Sequence, residues 1–144
     1  MKLDNFDFRI WNEKKETYED SDSIVKVFQD KLCNKDVSNY NIELFTGVFD
    51  KHNNKIHVGD ILKVTELNGK ELFYEVRYDD LFNSNVLFRI RDLNTMEVFD
   101  SLNSDRFPLS MFKYSYYYEE LKAKGETWNV EVYGNIHYTP SATL

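Results

Sequence analysis

Ile61-Leu62-Lys63-Val64-Thr65-Glu66-Leu67-Asn68-Gly69-Lys70-Glu71-Leu72-Phe73-Tyr74-Glu75-Val76-Arg77-Tyr78 is the stretch that decides the fold class. Two runs rich in β-branched and aromatic residues flank Asn68-Gly69, the pair that takes positive φ at both central positions of a type I′ turn at least cost. The pattern predicts a β-hairpin with a two-residue turn, one strand near Ile61 to Leu67 and the other near Lys70 to Tyr78.

The same grammar extends in both directions. Upstream, Leu44 to Phe49 leads into a polar turn, Asp50 to Lys55, in which Asn54 suits positive φ, and then into Ile56 to Val58, with Gly59-Asp60 as punctuation. Downstream, Val86, Phe88 and Ile90 alternate with Leu87, Arg89 and Arg91, and Thr95 to Phe99 follows across Asp92-Leu93-Asn94. Asn103 to Phe107 reads as loop, and Pro108 sits well near a helix start. A single helix is expected over Leu109 to Lys124, closed by a basic last turn and Gly125. Thr127 to Tyr133 alternates again, and Gly134-Asn135 precedes a short strand, Ile136 to Tyr138, that Pro140 stops.

At the N-terminus, Phe6, Phe8 and Ile10 alternate with Asp7, Arg9 and Trp11, the pattern of a half-buried strand. After a polar run, Ile24, Val27, Phe28 and Leu32 have the spacing of an amphipathic helix capped by Asp22 or Ser21, although Ile24 to Phe28 also fits a strand. With no repeat, Gly/Ser linker or low-complexity block, residues 1–144 are expected to form a single domain. The fold class expected is α+β, mainly β: a small antiparallel barrel or curled sheet with one or two helices.

Composition supports strands, because 10 Tyr, 11 Phe and 2 Trp bring large buried area together with β propensity. The 25 acidic and 18 basic residues leave a net charge of -7, a field that repels nucleic-acid phosphates. Cys33, the one cysteine, fits a reducing compartment and allows no intrachain disulfide. The start of the chain, MKLDNFDFRIW, lacks a signal-peptide core, and no stretch reaches the roughly 20 apolar residues of a membrane span, so a cytoplasmic protein without membrane insertion is expected.

Three separated segments resemble the YopX family of Gram-positive phage and prophage proteins, and they occur in that family's order. Phe8-Arg9-Ile10-Trp11 is similar to its opening F-R-x-W. The run from Phe45-Thr46-Gly47 through Asp50-Lys51-His52-Asn53-Asn54-Lys55-Ile56 to Gly59-Asp60-Ile61 is similar to its T-G-L-x-D-K-N-G-K-x-I-Y-x-G-D-I block. Val130 to Pro140, containing Gly134-Asn135-Ile136, is similar to its V-x-G-N-I-Y-E-N-P ending. Asn54 stands where the family has a turn glycine, and His57 and His137 where it has tyrosines. The resemblance implies a β-rich fold, phage or prophage origin, the bacterial host cytoplasm and self-association, and implies no enzymatic activity. The motif residues themselves are fold determinants by type, since Gly, Asn and Asp shape turns.

His52, His57, Asp60 and His137 would be the donors of a metal site, but no pair has the spacing of a helical H-E-x-x-H site, and turn histidines are commonly solvated. Cys33 fits no nucleophile signature, and a buried small hydrophobe is the usual fate of a lone cysteine. Asp79-Asp80 and Glu119-Glu120 are adjacent acids of the kind that form solvated surface charge. No phosphate loop or dinucleotide motif occurs. No catalytic residue, cofactor or metal is therefore assigned. The candidate binding residues are Tyr114, Tyr117, Tyr118 and Leu121, which share one face of the expected C-terminal helix while Leu109, Phe112 and Tyr116 occupy another; one face would pack on the sheet, and the other would be buried too or would serve an interface.

The function expected is that of a non-catalytic, homo-oligomeric binding or regulatory protein that engages a host or phage protein or a small ligand. Counter-defence is one form of it, with Asp79, Asp80, Glu119 and Glu120 imitating nucleic acid. The alternative is nucleic-acid binding by a small barrel, with Arg77, Arg89 and Arg91 on phosphates and aromatic rings stacking bases.

Overall fold

The N-terminal alternation forms strand β1 (Phe8–Asn12), which pairs antiparallel with β2 (Thr17–Tyr18) on one side and with β3 (Tyr40–Phe49) on the other. The computed structural model describes residues 3, 6–66, 68–80, 83–99, 106–109 and 129–138, and the chain divides into two compact units, Met1–Phe45 and Thr46–Leu144. Among the described residues the protein is mainly β, with ten strands and one helix.

In the first unit Ile10 lies opposite Ile42 and Arg9 opposite Glu43 across the β1–β3 ladder. Helix α1 (Ser21–Leu32) buries Val27, and its Phe28 meets Phe8 of β1 edge-on at 5.7 Å between ring centroids. Its cap is Asp20 rather than Asp22 or Ser21. Asp20 keeps extended backbone angles and its carboxylate accepts the N–H of Ser23 at 2.8 Å, so Ser21 is already the first helical residue and Asp22 lies in the first turn. On the other face of the sheet, Glu43 is buried and accepts from Arg9 Nε at 2.7 Å and Tyr18 Oη at 2.9 Å, while Trp11 packs edge-on against Tyr18. Buried Asn12 holds the β1–β2 turn: its Oδ1 accepts the N–H groups of Lys14 and Lys15 and Nδ2 of Asn39. Cys33 is exposed, not buried, because it is the C-cap of α1 and follows Leu32, which is itself exposed.

In the second unit, the end of β3 joins β4 (Lys55–His57). A second sheet runs in the order β10 (Asn129–Asn135), β5 (Asp60–Thr65), β6 (Glu71–Asp79), β7 (Ser84–Asp92), β8 (Glu97–Val98) and curls into a half-barrel; β9 (Arg106–Pro108) also pairs with β7. Every pairing in it is antiparallel. Ile56, Leu62, Val64, Val76, Leu87 and Leu109 are buried at the centre of its core, where each contributes roughly 1.5–3 kcal/mol of hydrophobic stabilisation. This is the curled antiparallel sheet of a mainly β, α+β protein that the alternation predicts.

Several local details differ from the expectation. The β5–β6 hairpin forms, with Leu62 opposite Tyr74, but its closing pair is Glu66 and Lys70, so three residues rather than two lie in the loop. Gly69 alone of Asn68-Gly69 takes positive φ, +83°, because a three-residue loop needs a left-handed residue only at its last position; Asn68 instead accepts the N–H of Lys70. The β3–β4 loop repeats this design: Asp50 N–H donates to Asn54, Asn53 N–H donates back to Asp50, and Asn53, not Asn54, has positive φ. Arg106 and Phe107, expected in a loop, form strand β9 with Pro108, which stands opposite Val86. Ile136 to Tyr138 is a bend closed by mutual backbone bonds between Asn135 and Tyr138, not a strand. Beyond Leu109, the expected helix to Lys124 lies outside the described residues.

Candidate functional site

Tyr114, Tyr117, Tyr118 and Leu121, the binding residues expected from the sequence, lie outside the described residues, as do Glu119 and Glu120. Four groups of described residues bear on function.

The first group is the turn residues of the YopX-like motifs, and each has a structural task. Asp50 is buried, and its Oδ1 accepts the N–H groups of His52 at 2.9 Å and Asn54 at 2.8 Å, while Oδ2 accepts Val132 N–H at 3.0 Å and Asn54 Nδ2 at 3.2 Å. Burial pushes this carboxyl up, but the donors Val132, Asn54 and His52 outweigh burial and hold it below the ordinary Asp value. Lys51 N–H donates to Val130 C=O beside it, so the β3–β4 loop is tied to β10 at two points. Asp60, 1% exposed, accepts His57 N–H at 2.7 Å, and Asn135 Oδ1 accepts the N–H groups of His137 and Tyr138. Among the described residues no cluster of three or more His, Cys, Asp or Glu side chains is disposed to hold a metal ion.

The second group is the arginines. Arg77 donates to Glu75 and lies over the ring of Phe88 at 4.7 Å, Arg89 lies over Phe99 at 5.0 Å, and Arg91 reaches Glu97 at 3.7 Å. They stand on β6 and β7 as expected, but each faces an acid or a ring of its own chain.

The third is a charge cluster on one face of β10 and β5. Glu131 stands opposite Lys63 and gathers Lys63 Nζ at 2.7 Å, Lys51 Nζ at 3.0 Å and His52 Nε2 at 3.4 Å. Hydrogen bonds from Lys63 and then Lys51 bring its carboxyl down to about 2, and the same bond raises Lys63. Phe73 and Tyr133 pack at 5.0 Å nearby on β6 and β10. Two cations already share this one carboxylate.

The fourth group is the one the sequence did not single out as a site. On the α1 face of the first unit, Ile10, Val27, Phe28, Lys31, Val37, Tyr40 and Ile42 line a cleft of about 150 Å³. Around it the apolar surface is incompletely covered: Ile42 is 52% exposed, Phe28 44%, Leu44 43%, and Phe6 is exposed too. The sequence signal was present in Tyr40-Asn41-Ile42-Glu43-Leu44, where alternate apolar residues extend the strand upstream of Leu44, and in Phe28 and Leu32, which make the apolar stripe of α1 wider than one small sheet can cover. This surface is suited to contact with another apolar surface.

No helix among the described residues is long and apolar enough to cross a membrane. No family model matches the chain, and no curated protein matches it closely enough to count as a relative.

Proposed function

We propose that this is a non-catalytic binding protein that works through the apolar α1 face of its first unit, engaging another protein surface. The observation that carries the reading is the group Phe6, Phe28, Ile42 and Leu44, large apolar side chains left open around a cleft on one face. Such clusters on soluble domains mark interaction sites. The acids and histidines that would have suggested chemistry are occupied in turns and ion pairs: Asp50 by backbone N–H groups, Asp60 by His57 N–H, and His52 by Glu131. The motif resemblance to YopX supplies the setting, a phage or prophage protein in the bacterial cytoplasm with an oligomeric or regulatory role, counter-defence included. Nucleic-acid binding is the second reading, and the engagement of Arg77, Arg89 and Arg91 with Glu75, Phe88, Phe99 and Glu97 weighs against it.

The test is retention of a stoichiometric partner, whether another copy of the chain or a different protein, by wild type and by Phe28→Lys purified from bacterial cells. Wild type is expected to hold the partner and Phe28→Lys to lose it with far-UV circular dichroism unchanged. A wild type that is monomeric and bare overturns the reading. Tight, salt-sensitive binding of DNA or RNA would favour the second reading.

A further inference from the structure

The hydrogen-bond phase of β3 turns alternate backbone groups of its first half away from β1. Phe45 N–H donates to Asp7 C=O and Glu13 N–H donates to Asn39 C=O, both at 2.9 Å, and bonded pairs recur at every second residue of an antiparallel ladder. Glu43 and Asn41 therefore turn their backbone groups toward β1. Ile42 and Leu44 turn theirs the other way. The other neighbour of β3 is β4, and Thr46 Oγ1 donates to Ile56 C=O at 2.7 Å. Among the described residues no strand pairs with Tyr40 to Leu44 on that side. This stretch carries no lysine, arginine or proline to discourage pairing, and the irregularity comes only at Gly47, whose φ is +84°.

We propose that this edge pairs antiparallel with the same edge of a second copy of the chain, about a two-fold axis at Ile42. The inference rests on the binding reading above and names its partner. Alternating donors and acceptors in a strand edge are satisfied only by another extended backbone, and the length of the opening fits this strand in particular. At one end the chain turns away at Tyr40, whose N–H donates to Val37 C=O at 3.1 Å; at the other the edge is taken up beyond Thr46. A copy laid with Ile42 opposite Ile42 sets Tyr40 opposite Leu44 and Asn41 opposite Glu43. It ends at its own Tyr40 turn before reaching Thr46. The N–H and C=O of Ile42 then bond their counterparts, and Leu44 N–H bonds the copy's Tyr40 C=O, the acceptor left free when Tyr40 N–H is used in its turn. An axis at Glu43 would instead set two carboxylates opposite each other, which is unfavourable in a cross-strand pair. Ile42 shares a face with Val27 and Phe28, so the join also brings the two open apolar surfaces together over one continuous sheet.

Sedimentation equilibrium of the full chain tests the pairing. Wild type is expected to dimerise at micromolar concentration, and Ile42→Lys, a change at a half-exposed site, to raise the dimer dissociation constant about tenfold or more with circular dichroism unchanged. An independent measurement is disulfide capture in a Cys33→Ser background. Ile42→Cys should cross-link under mild oxidation, because bonded antiparallel pairs hold Cα atoms about 5.5 Å apart, whereas Val25→Cys on exposed α1 surface should not. A dimer indifferent to Ile42→Lys that gives no cross-link at Ile42→Cys overturns the pairing. A monomer that still retains a different protein through Phe28 overturns the pairing alone, and a monomer with no partner overturns the binding reading as well.

Discussion

The carboxylate of Asp50 accepts the backbone N–H of Val132, 82 positions further along the chain, at 3.0 Å. The same side chain closes its own loop through His52 and Asn54, so one residue fixes both the β3–β4 turn and its attachment to β10. Asp50→Ala should destabilise the fold by roughly 2–4 kcal/mol, because one buried carboxylate serves three backbone N–H groups at once. Asp50→Asn keeps one acceptor oxygen and should cost less. Urea unfolding of the two variants checks the order, and equal stability of Asp50→Ala and wild type would remove Asp50 from this role.

Acid should expose the same design. The Asp50 and Glu131 carboxyls lie below their unfolded values in the folded chain, Glu131 at about 2 against an ordinary 4.5. Each contributes stability that is complete above the ordinary carboxylate range and is lost as pH falls through the folded value. Between about pH 4.5 and pH 2 the melting temperature should therefore fall, and Glu131→Gln should flatten part of that slope. Lys63 acts in the opposite sense: its raised value means that its share is complete below the ordinary 10.5 and fades only in stronger alkali. Thermal melts across pH, at low and at high salt, measure both limbs.

Gly69 provides a cleaner backbone experiment. An added Cβ there would meet nothing within 4 Å, so Gly69→Ala has only the left-handed φ of +83° to oppose it. A loss of about 1–2 kcal/mol is expected, with Gly69→Asn milder, since asparagine tolerates this region best among the other residues. Differential scanning calorimetry of the pair decides it, and no loss in Gly69→Ala would mean that the loop relaxes to another form.

Which features the sequence disclosed follows from the range of the physics involved. Alternation is local, so β5, β6 and β7 were legible from Leu62, Val64, Tyr74, Val76 and Phe88, and the helical spacing of Val27 and Phe28 disclosed α1. Loop length was not, because Asn68-Gly69 suits both a two-residue and a three-residue turn, and the choice belongs to the Glu66–Lys70 pairing across the loop. Asp50 was legible as a turn former from its own neighbours, while its bond to Val132 depends on where β10 docks. Ile42 and Leu44 carried a strand pattern, but that no strand among the described residues pairs on their outer side depends on the whole topology.

Glu43 closes the case for the first unit as a structure built around one buried charge. It is 4% exposed and accepts from Arg9 Nε and Tyr18 Oη, with Arg9 stacked over the Tyr18 ring at 4.9 Å. Three strands, β1, β2 and β3, thus converge on one carboxylate. Removing it takes away the carboxylate that Arg9 Nε and Tyr18 Oη share, and breaking a buried pair from one side commonly costs about 3–5 kcal/mol. Glu43→Ala should fall at or just below that range, since Arg9 is 23% exposed and keeps some water. Glu43→Gln preserves the shape and one acceptor and should lose about half as much. A double-mutant cycle with Arg9→Met separates the pair from the packing: coupling of about 1–3 kcal/mol is expected between the two positions, and additive losses would show that Arg9 and Glu43 stabilise the sheet independently.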